Sequence, residues 1–515
     1  MTTATAPIFD LLVIGGGING AGIARDAAGR GMSVLLAEQD DLAAHTSSAS
    51  TKLIHGGLRY LEYSEFRLVA EALKEREVLL ANAPHIIEPL AFVLPHEAHL
   101  RPAWMIRAGL FLYDHLGGRM SLPKSFGVKL PGSRWGAGLQ SRFARGFVYA
   151  DARVDDARLV VVNALDAQAK GADIRVRTRV TGAYRENGLW RATLQPRDRV
   201  PMDVTARAIV NAAGPWVKRV QDSVSAAPAK DNVRHVKGSH IVVPRVHAEE
   251  HAYILQNADN RIVFIIPYQD HYSLIGTTDI NVDDAYEHPA ITEDEIGYLL
   301  QLVNSYLAKR LQKSDVVWTY SGVRPLHDDG STDPAAVTRD YVFRVDALEG
   351  SMENEAGAGR APVLSIFGGK ITTYRKLAEA ALAHLAPYFP GMKPGWTRTA
   401  PLPGGDLPNG DRSAFFAEMC RRYPLLPADV LRGIARRHGT RATRVLGEAR
   451  TAADLGQDFG GGLTAREVDY LMAEEWARSD DDILWRRTKC GLAMTTAQRE
   501  AVAVYCARAR SEVAA

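Results

Sequence analysis

The stretch from Asp10 to Glu38 constrains the fold more than any other part of this 515-residue chain. Leu11-Leu12-Val13-Ile14 is a short apolar run that reads as a buried strand, and Gly15-Gly16-Gly17-Ile18-Asn19-Gly20 follows it as a GxGxxG turn. Small residues recur along the next segment at Ala21, Gly22, Ala24, Ala27 and Ala28, predicting a helix that packs closely on a sheet. Gly31 ends that helix, and Ser33 to Ala37 predicts a second strand stopping at Glu38. The unit is βαβ with the spacing of a dinucleotide site. Gly15 permits the tight turn, Gly17 lets the backbone approach a pyrophosphate, and Gly20 lets helix and strand pack. The helix N-terminus offers N–H groups and partial positive charge to the same pyrophosphate. Glu38, 23 positions after Gly15, is placed to accept hydrogen bonds from ribose hydroxyls, which disfavours a 2′-phosphate and hence NADP.

The remainder of the chain argues for an interleaved architecture. A helix is predicted over residues 66–82, strands over 174–195 with a turn at Asn187-Gly188, and a buried strand over 207–214 running into a Gly-Pro turn. Strand segments follow at 240–246, 261–268, 272–277, 316–320 and 341–346. Residues 362–367 read as a strand, Gly368-Gly369 as a turn and 372–385 as a helix; a Gly/Pro-rich linker spans about 387–410. Beyond it nearly everything reads as helical, with capping boxes at Thr464–Glu467 and Thr495–Gln498. The segments at 209–214 and 363–369 look like distant pieces returning to the nucleotide sheet, a layout that suits a flavoprotein better than an enzyme with one contiguous NAD domain.

Composition excludes several classes. With 62 Lys+Arg against 60 Asp+Glu the chain has no global basic footprint for nucleic acid, though a local basic pocket is compatible with that balance. Cys420, Cys490 and Cys506 are odd in number and far apart, so neither a disulfide framework nor a metal site is expected, and a reducing compartment fits best. Met1 to Pro7 carries no charge and no apolar run, and does not read as a targeting segment. No stretch reaches the roughly 18 apolar residues of a membrane span.

Residues 46–63, TSSASTKLIHGGLRYLEY, resemble the FAD-dependent, respiratory (aerobic) glycerol-3-phosphate dehydrogenases. The likeness continues through RPAWMIR from Arg101, VDDARL from Val154, VNAAGPWV from Val210, KGSHIVVP from Lys237, IGTTD from Ile275, YSGVRPL from Tyr320 and FGGKITTYRKLA from Phe367. It implies an α/β, FAD-binding fold of the glutathione-reductase and D-amino-acid-oxidase type with an inserted β-rich substrate cap and a C-terminal α-helical domain. The expected division is 1–75 with 147–230 and 340–390 for the FAD domain, 76–146 with 231–339 for the cap, and 398–515 for the helical domain. The implied reaction is oxidation of sn-glycerol 3-phosphate to dihydroxyacetone phosphate, with electrons passing from non-covalently bound FAD to a membrane quinone. A homodimer at the cytoplasmic face of the inner membrane is implied with it.

A phosphate dianion needs fixed positive charge and bidentate donors. In the family-like blocks these are Arg59, Arg324, Arg339 and Lys370, with Tyr60 as a positioning hydroxyl; any one of them taken alone also reads as an ordinary surface or core residue. Arg324 is expected to act on the reacting oxygen too. Alcohol oxidation needs a base for the hydroxyl proton, and a histidine suits that task. His240 is the first candidate and His55 the second, while a satisfied core histidine is an equally good reading of His240. The cofactor set is Gly15, Gly17, Gly20, Glu38, Ser47, Ser48, Lys52, Gly214, Gly368, Gly369 and Thr373, the last three aiming a helix N-terminus at the flavin edge that gains charge on reduction. Residues 104–113, WMIRAGLFLY, flanked by Arg101 and Arg119, suit either an interfacial helix on anionic lipid or a buried packing helix. Three rivals stand beside this reading: an oxidase that releases hydrogen peroxide, an amino-acid or amine oxidase on the same scaffold, and a non-catalytic flavin-binding scaffold.

Overall fold

The computed structural model describes residues 7–97, 101–224, 232–256, 261–282, 287–328, 340–347 and 361–514. At its centre lie β1 (Ile8–Ile14), α1 (Ile18–Gly29) and β2 (Val34–Ala37), where the glycine pattern places them. β1 pairs in parallel with β2 on one side and with Met202–Asn211 on the other. Asp173–Arg175 extends the sheet beyond β2, and Val363–Phe367 extends it beyond Met202–Asn211, so pieces far apart in the chain do return to one sheet. Val342–Asp346 closes that edge in antiparallel.

β1 is buried on both faces, which explains its unbroken apolar run. Leu11 and Val13 face a core completed by α1, Asp156–Ala169 and Tyr374–Leu385. Leu12 and Ile14 face the other side, under Trp190, Ala192 and Leu194 of the hairpin Thr178–Glu186/Leu189–Pro196. That hairpin turns at Asn187-Gly188, both with positive φ, as the sequence predicts.

A second, ten-stranded sheet forms the cap. Helix Glu293–Asn304 covers one face, where Leu299 and Val303 pack on Ile241 and Val243. Helices Phe66–Asn82 and Ala103–Leu116 cover part of the other, where Val69, Leu73 and Tyr113 meet Val242 and Leu274. The cap is larger than the expected division allows. Arg145–Val154 pairs along its whole length with Ile87–His96, and Leu53–Ile54 pairs with it in turn. A boundary at 147 therefore cuts a cap strand, and the 75/76 boundary falls inside one helix. That helix bridges two cores, giving Val69 and Leu73 to the cap and Leu79 to the dinucleotide body.

The C-terminal domain has its own core, built on Arg412–Arg422, Ala428–His438, Ala465–Glu474 and neighbouring segments. It is not wholly helical, because Asp458–Gly460 and Leu463–Thr464 form a small hairpin. The Thr495–Gln498 capping box closes, each partner binding the other's backbone N–H at 3.3 and 2.8 Å. The one expected at Thr464–Glu467 does not. Glu467 turns instead to Arg437 and to His438 at 2.8 Å, charge-assisted bonds that outweigh a neutral cap. Docking on the body is polar and deeply buried: Arg487 forks on to Asp41 at 2.6 and 2.8 Å, and Arg158 forks on to Glu475. Stranding one charge of such a pair costs about 3–5 kcal/mol.

Candidate active site

A cleft of about 330 Å³ opens where the first sheet's strands end against the cap, lined by Gly15, Gly17, Glu38, Ser47, Gly214, Gly368 and Gly369 among others. The glycines are dictated by close approach. A Cβ on Gly15, whose φ is +112°, would sit 2.5 Å from the Ala212 carbonyl oxygen, and one on Gly20 would sit 1.9 Å from that of Gly15. Gly20 does not line the cleft; it lets α1 rise directly from the turn. Ser47 Oγ accepts a hydrogen bond from the Ile18 N–H at 3.0 Å and so ties residues 46–48 to the N-terminus of α1. Glu38 is buried, with Oε2 accepting from the Gly16 N–H at 2.6 Å and Oε1 from the Asp40 N–H at 2.8 Å. Burial raises its pKa, and these two bonds work against that rise.

Asn19 joins the two ends of the cofactor set. Its Nδ2 donates to the Gly368 carbonyl at 3.2 Å, while its buried Oδ1 has no partner among the described residues. A cleft lined by glycines, a carboxylate at the end of β2 and an unpaired buried amide oxygen beside the cleft together fit a bound dinucleotide such as FAD. Thr373 is buried at the start of Tyr374–Leu385, and Ser48 Oγ donates to the His45 carbonyl at 3.3 Å. The Lys52 side chain takes no part in the cleft, which leaves to it only the backbone contact expected of this segment. Its Nζ lies 2.8 Å from Asp156 and 2.9 Å from the Ser48 carbonyl, a buried charge spent on an internal pair rather than on the dinucleotide cleft.

The second half of the site is a face of the cap sheet. Asn232–Pro244 and Trp318–Asp328 run antiparallel, with His240 opposite Tyr320, Gly238 opposite Gly322 and Val236 opposite Arg324. Since side chains alternate along a strand, these residues share one face. His240 and Arg324 thus stand at two ends of a run of glycines, and the Arg324 guanidinium folds back over Gly238, where a Cβ would lie 2.3 Å from Nη2. Gly276, next to His240, extends this glycine floor, and a Cβ there would lie 2.1 Å from the imidazole. Residues 46–52 run across it. Thr46 Oγ1 donates to the Val323 carbonyl at 2.7 Å, Ala49 sits over Gly322, the Tyr320 hydroxyl donates to the Ser50 carbonyl at 2.8 Å, and Thr51 Oγ1 lies 3.0 Å from His240 Nε2. The segment beside the dinucleotide cleft is therefore also the wall of the cap site.

His240 is 2% exposed, stacks on Tyr320 at 4.8 Å, and leaves Nδ1 without a partner among the described residues. Burial, then the charges of Lys52 and Arg324, hold its pKa well below the ordinary imidazole value. Its ring is therefore neutral at ordinary pH. Arg324 is not a bare cation: Nη1 binds Asp279 at 2.6 Å and Nη2 the Thr278 carbonyl at 3.2 Å. A second cluster forms on the 3₁₀ turn Leu58–Tyr63, where Lys370 Nζ sits 4.0 Å above the Tyr60 ring and Arg59 Nη2 is 3.5 Å from the Tyr63 hydroxyl. His55 lies just before that turn, its backbone N–H donating to Thr372 Oγ1 at 3.3 Å. Arg339 falls outside the described residues.

Thr51, Asp279, Asn19 and the three floor glycines were not singled out from sequence. Asp279 and the glycines fall inside or beside the blocks that carry the resemblance, so their neighbours were legible; their facing was not, because it depends on strand register.

Comparison with known proteins follows the same division of the chain. Residues 10–375 match the family described as FAD dependent oxidoreductase, and residues 396–513 match the C-terminal domain of alpha-glycerophosphate oxidase. The aerobic glycerol-3-phosphate dehydrogenase of Escherichia coli is 54% identical, the alignment covering 96% of this chain and 97% of that protein. The D-erythritol 1-phosphate dehydrogenase of Brucella abortus is 51% identical, covering 96% of each. Among solved structures, the glycerol-3-phosphate dehydrogenase of Bacillus halodurans complexed with FAD superposes with a TM-score of 0.72 at 26% identity, covering 98% of this chain and 94% of that one.

Proposed function

The chain belongs to the FAD-dependent oxidoreductases, and from that membership we propose that it oxidises the secondary hydroxyl of sn-glycerol 3-phosphate to give dihydroxyacetone phosphate. FAD, held without a covalent link in the glycine cleft, supplies the two-electron acceptor for the hydride leaving C2. His240 takes the hydroxyl proton. Its neutral state fits it for that task, Thr51 holds Nε2, and Nδ1 is buried with no partner among the described residues. Arg324 polarises the reacting oxygen from the other end of the glycine floor, with Asp279 fixing the guanidinium. Arg59, Tyr60, Arg339 and Lys370 receive the phosphate, and His55 remains the second candidate for the base. The support for this assignment is one juxtaposition: a buried, neutral imidazole and an arginine at two ends of a run of glycines on one sheet face, walled by the segment that borders the dinucleotide cleft.

Electrons then pass to a membrane quinone. Helix Ala103–Leu116 supports contact with a lipid surface, because it buries only Leu110 and Tyr113 and leaves Trp104 70% and Phe111 60% exposed. Among the described residues no helix is long and apolar enough to cross a membrane. The reading is therefore peripheral attachment at the cytoplasmic face of the inner membrane.

Two specific observations favour neighbouring readings. The 51% identity to an erythritol 1-phosphate dehydrogenase favours a longer phosphorylated polyol, and the oxidase-type C-terminal domain favours oxygen as acceptor. Anaerobic addition of sn-glycerol 3-phosphate to the purified flavoprotein should bleach the flavin, faster than D-erythritol 1-phosphate does. An unbleached flavin overturns the dehydrogenase assignment; faster bleaching by the four-carbon substrate reassigns it. One peroxide released per turnover without added quinone would replace the quinone with oxygen.

A further inference from the structure

A larger cavity, about 1380 Å³, lies between the cap and the C-terminal domain. Of the residues expected to bind cofactor or substrate, only Lys52 reaches its wall. Two deeply buried polar side chains line it with nothing to bind among the described residues. His85 is 1% exposed and neither ring nitrogen has a hydrogen-bond partner; Tyr268 is 7% exposed and its hydroxyl is unpaired. Buried polar groups are nearly always satisfied, so two orphans facing one cavity mark a place where something else completes them.

The charge of the wall says what. Seven lysines and arginines line the cavity against four acids, and with Lys52 and Arg437 paired from behind by Asp156 and Glu467 the wall keeps a small positive excess concentrated at its arginines. Glu88 illustrates the imbalance: Arg153 reaches it at 3.0 Å and Arg412 binds the same oxygen. Against the upward push of burial, Arg153, Arg412 and nearby Arg436 hold the Glu88 carboxyl at about 2. Arg432 lies over the Phe416 ring, 5.1 Å from its centroid, with no acid partner among the described residues. Arginine forks beside a single shared carboxylate suit a phosphate, and aromatic and hydroxyl-binding groups deeper in suit an organic body attached to it. Burial and the charges of Arg158, His438 and Arg412 push His85 down to about 3, so its ring is neutral and can give one hydrogen bond and take another.

We propose that this cavity is a second ligand site, binding a small organic phosphate with its phosphate on Arg412 and Arg432 and its body on His85 and Tyr268. The site is separate from the active site but not isolated from it. Lys52, on the shared wall, sits 4.8 Å from the centre of the Tyr320 ring, on which His240 stacks.

The test is calorimetric titration of the intact, FAD-loaded protein with adenosine 5′-monophosphate and, separately, with inorganic phosphate. Adenosine 5′-monophosphate should bind wild type and Arg324→Ala alike, since the active-site arginine is not involved. Arg412→Ala, Arg432→Ala and His85→Phe should each weaken it by about 10- to 100-fold, the loss expected for one charge-assisted or buried hydrogen bond. The two arginine variants carry the test if His85→Phe fails to fold, because both positions lie near the surface. Absence of binding at millimolar concentration overturns the proposal, as does binding lost in Arg324→Ala but kept in Arg412→Ala. Binding of inorganic phosphate alone, insensitive to His85→Phe, overturns the organic body.

Discussion

The dinucleotide cleft and the cap face meet along residues 46–52, yet they are built on opposite principles. The cleft is made of backbone. Its wall is a run of glycines where the backbone packs too closely on neighbouring segments to admit a Cβ, and the backbone N–H of Gly16 and carbonyl of Gly368 tie it together. The cap face is made of side chains carried on strands about 80 residues apart in the chain and held ready by partners, Asp279 for Arg324 and Thr51 for His240. One is damaged by adding atoms, the other by removing them.

Substitutions can break this contrast. Gly20→Ala should have the largest effect, because its Cβ would lie 1.9 Å from a backbone oxygen that has nowhere to go. We expect a loss of about 4 kcal/mol or more and, with it, the flavin, read as melting temperature and flavin-to-protein ratio. Stoichiometric flavin in that variant would mean the cleft is not a close-packed cradle. His240→Ala should keep its flavin and lose about 10²–10⁴-fold in kcat, the usual worth of a positioned base. Retained turnover would shift the role to His55.

Arg324→Ala should cost about 10²–10³-fold in kcat/KM, equivalent to roughly 3–4 kcal/mol. It should also move the pH profile. The guanidinium disfavours the imidazolium of His240, so removing it raises that pKa. The acid limb of kcat/KM, which in the wild type lies well below the ordinary imidazole value, should then move to higher pH. An unmoved limb would uncouple the two residues. Thr51→Val should be the mildest, about tenfold in kcat, as one hydrogen bond to the base is lost while packing is kept.

The same contrast explains what could be read from sequence. The cleft was legible because its determinants are contiguous: the apolar run, the three glycines and Glu38 fall within one βαβ unit. Helix Phe66–Asn82 was legible for a similar reason, its 3.6-residue period being local. Arg145–Val154 was not, because a strand carries no mark of which sheet it will join. Lys52 lies in a block that resembles a cofactor segment, but its left-handed backbone, φ 60°, and the facing Asp156 turn its ammonium elsewhere. His240 and Arg324 could be singled out one at a time; that they share a face with Tyr320 depends on a register no single segment encodes. The failed cap at Thr464 is the same lesson in miniature, since Glu467 found a better partner in Arg437.

The strand order has a consequence in time. β1 and β2 leave the ribosome early, but the far neighbour Val363–Phe367 and the Asn19–Gly368 bond await a segment 349 residues downstream. At 5–20 residues per second that is roughly 20–70 s of synthesis during which an apolar, unpaired edge of β1 or its neighbour stands open. Flavin loading is therefore a late event of biogenesis. Chains stopped short of Phe367 should be cleared or aggregate rather than accumulate as flavoprotein.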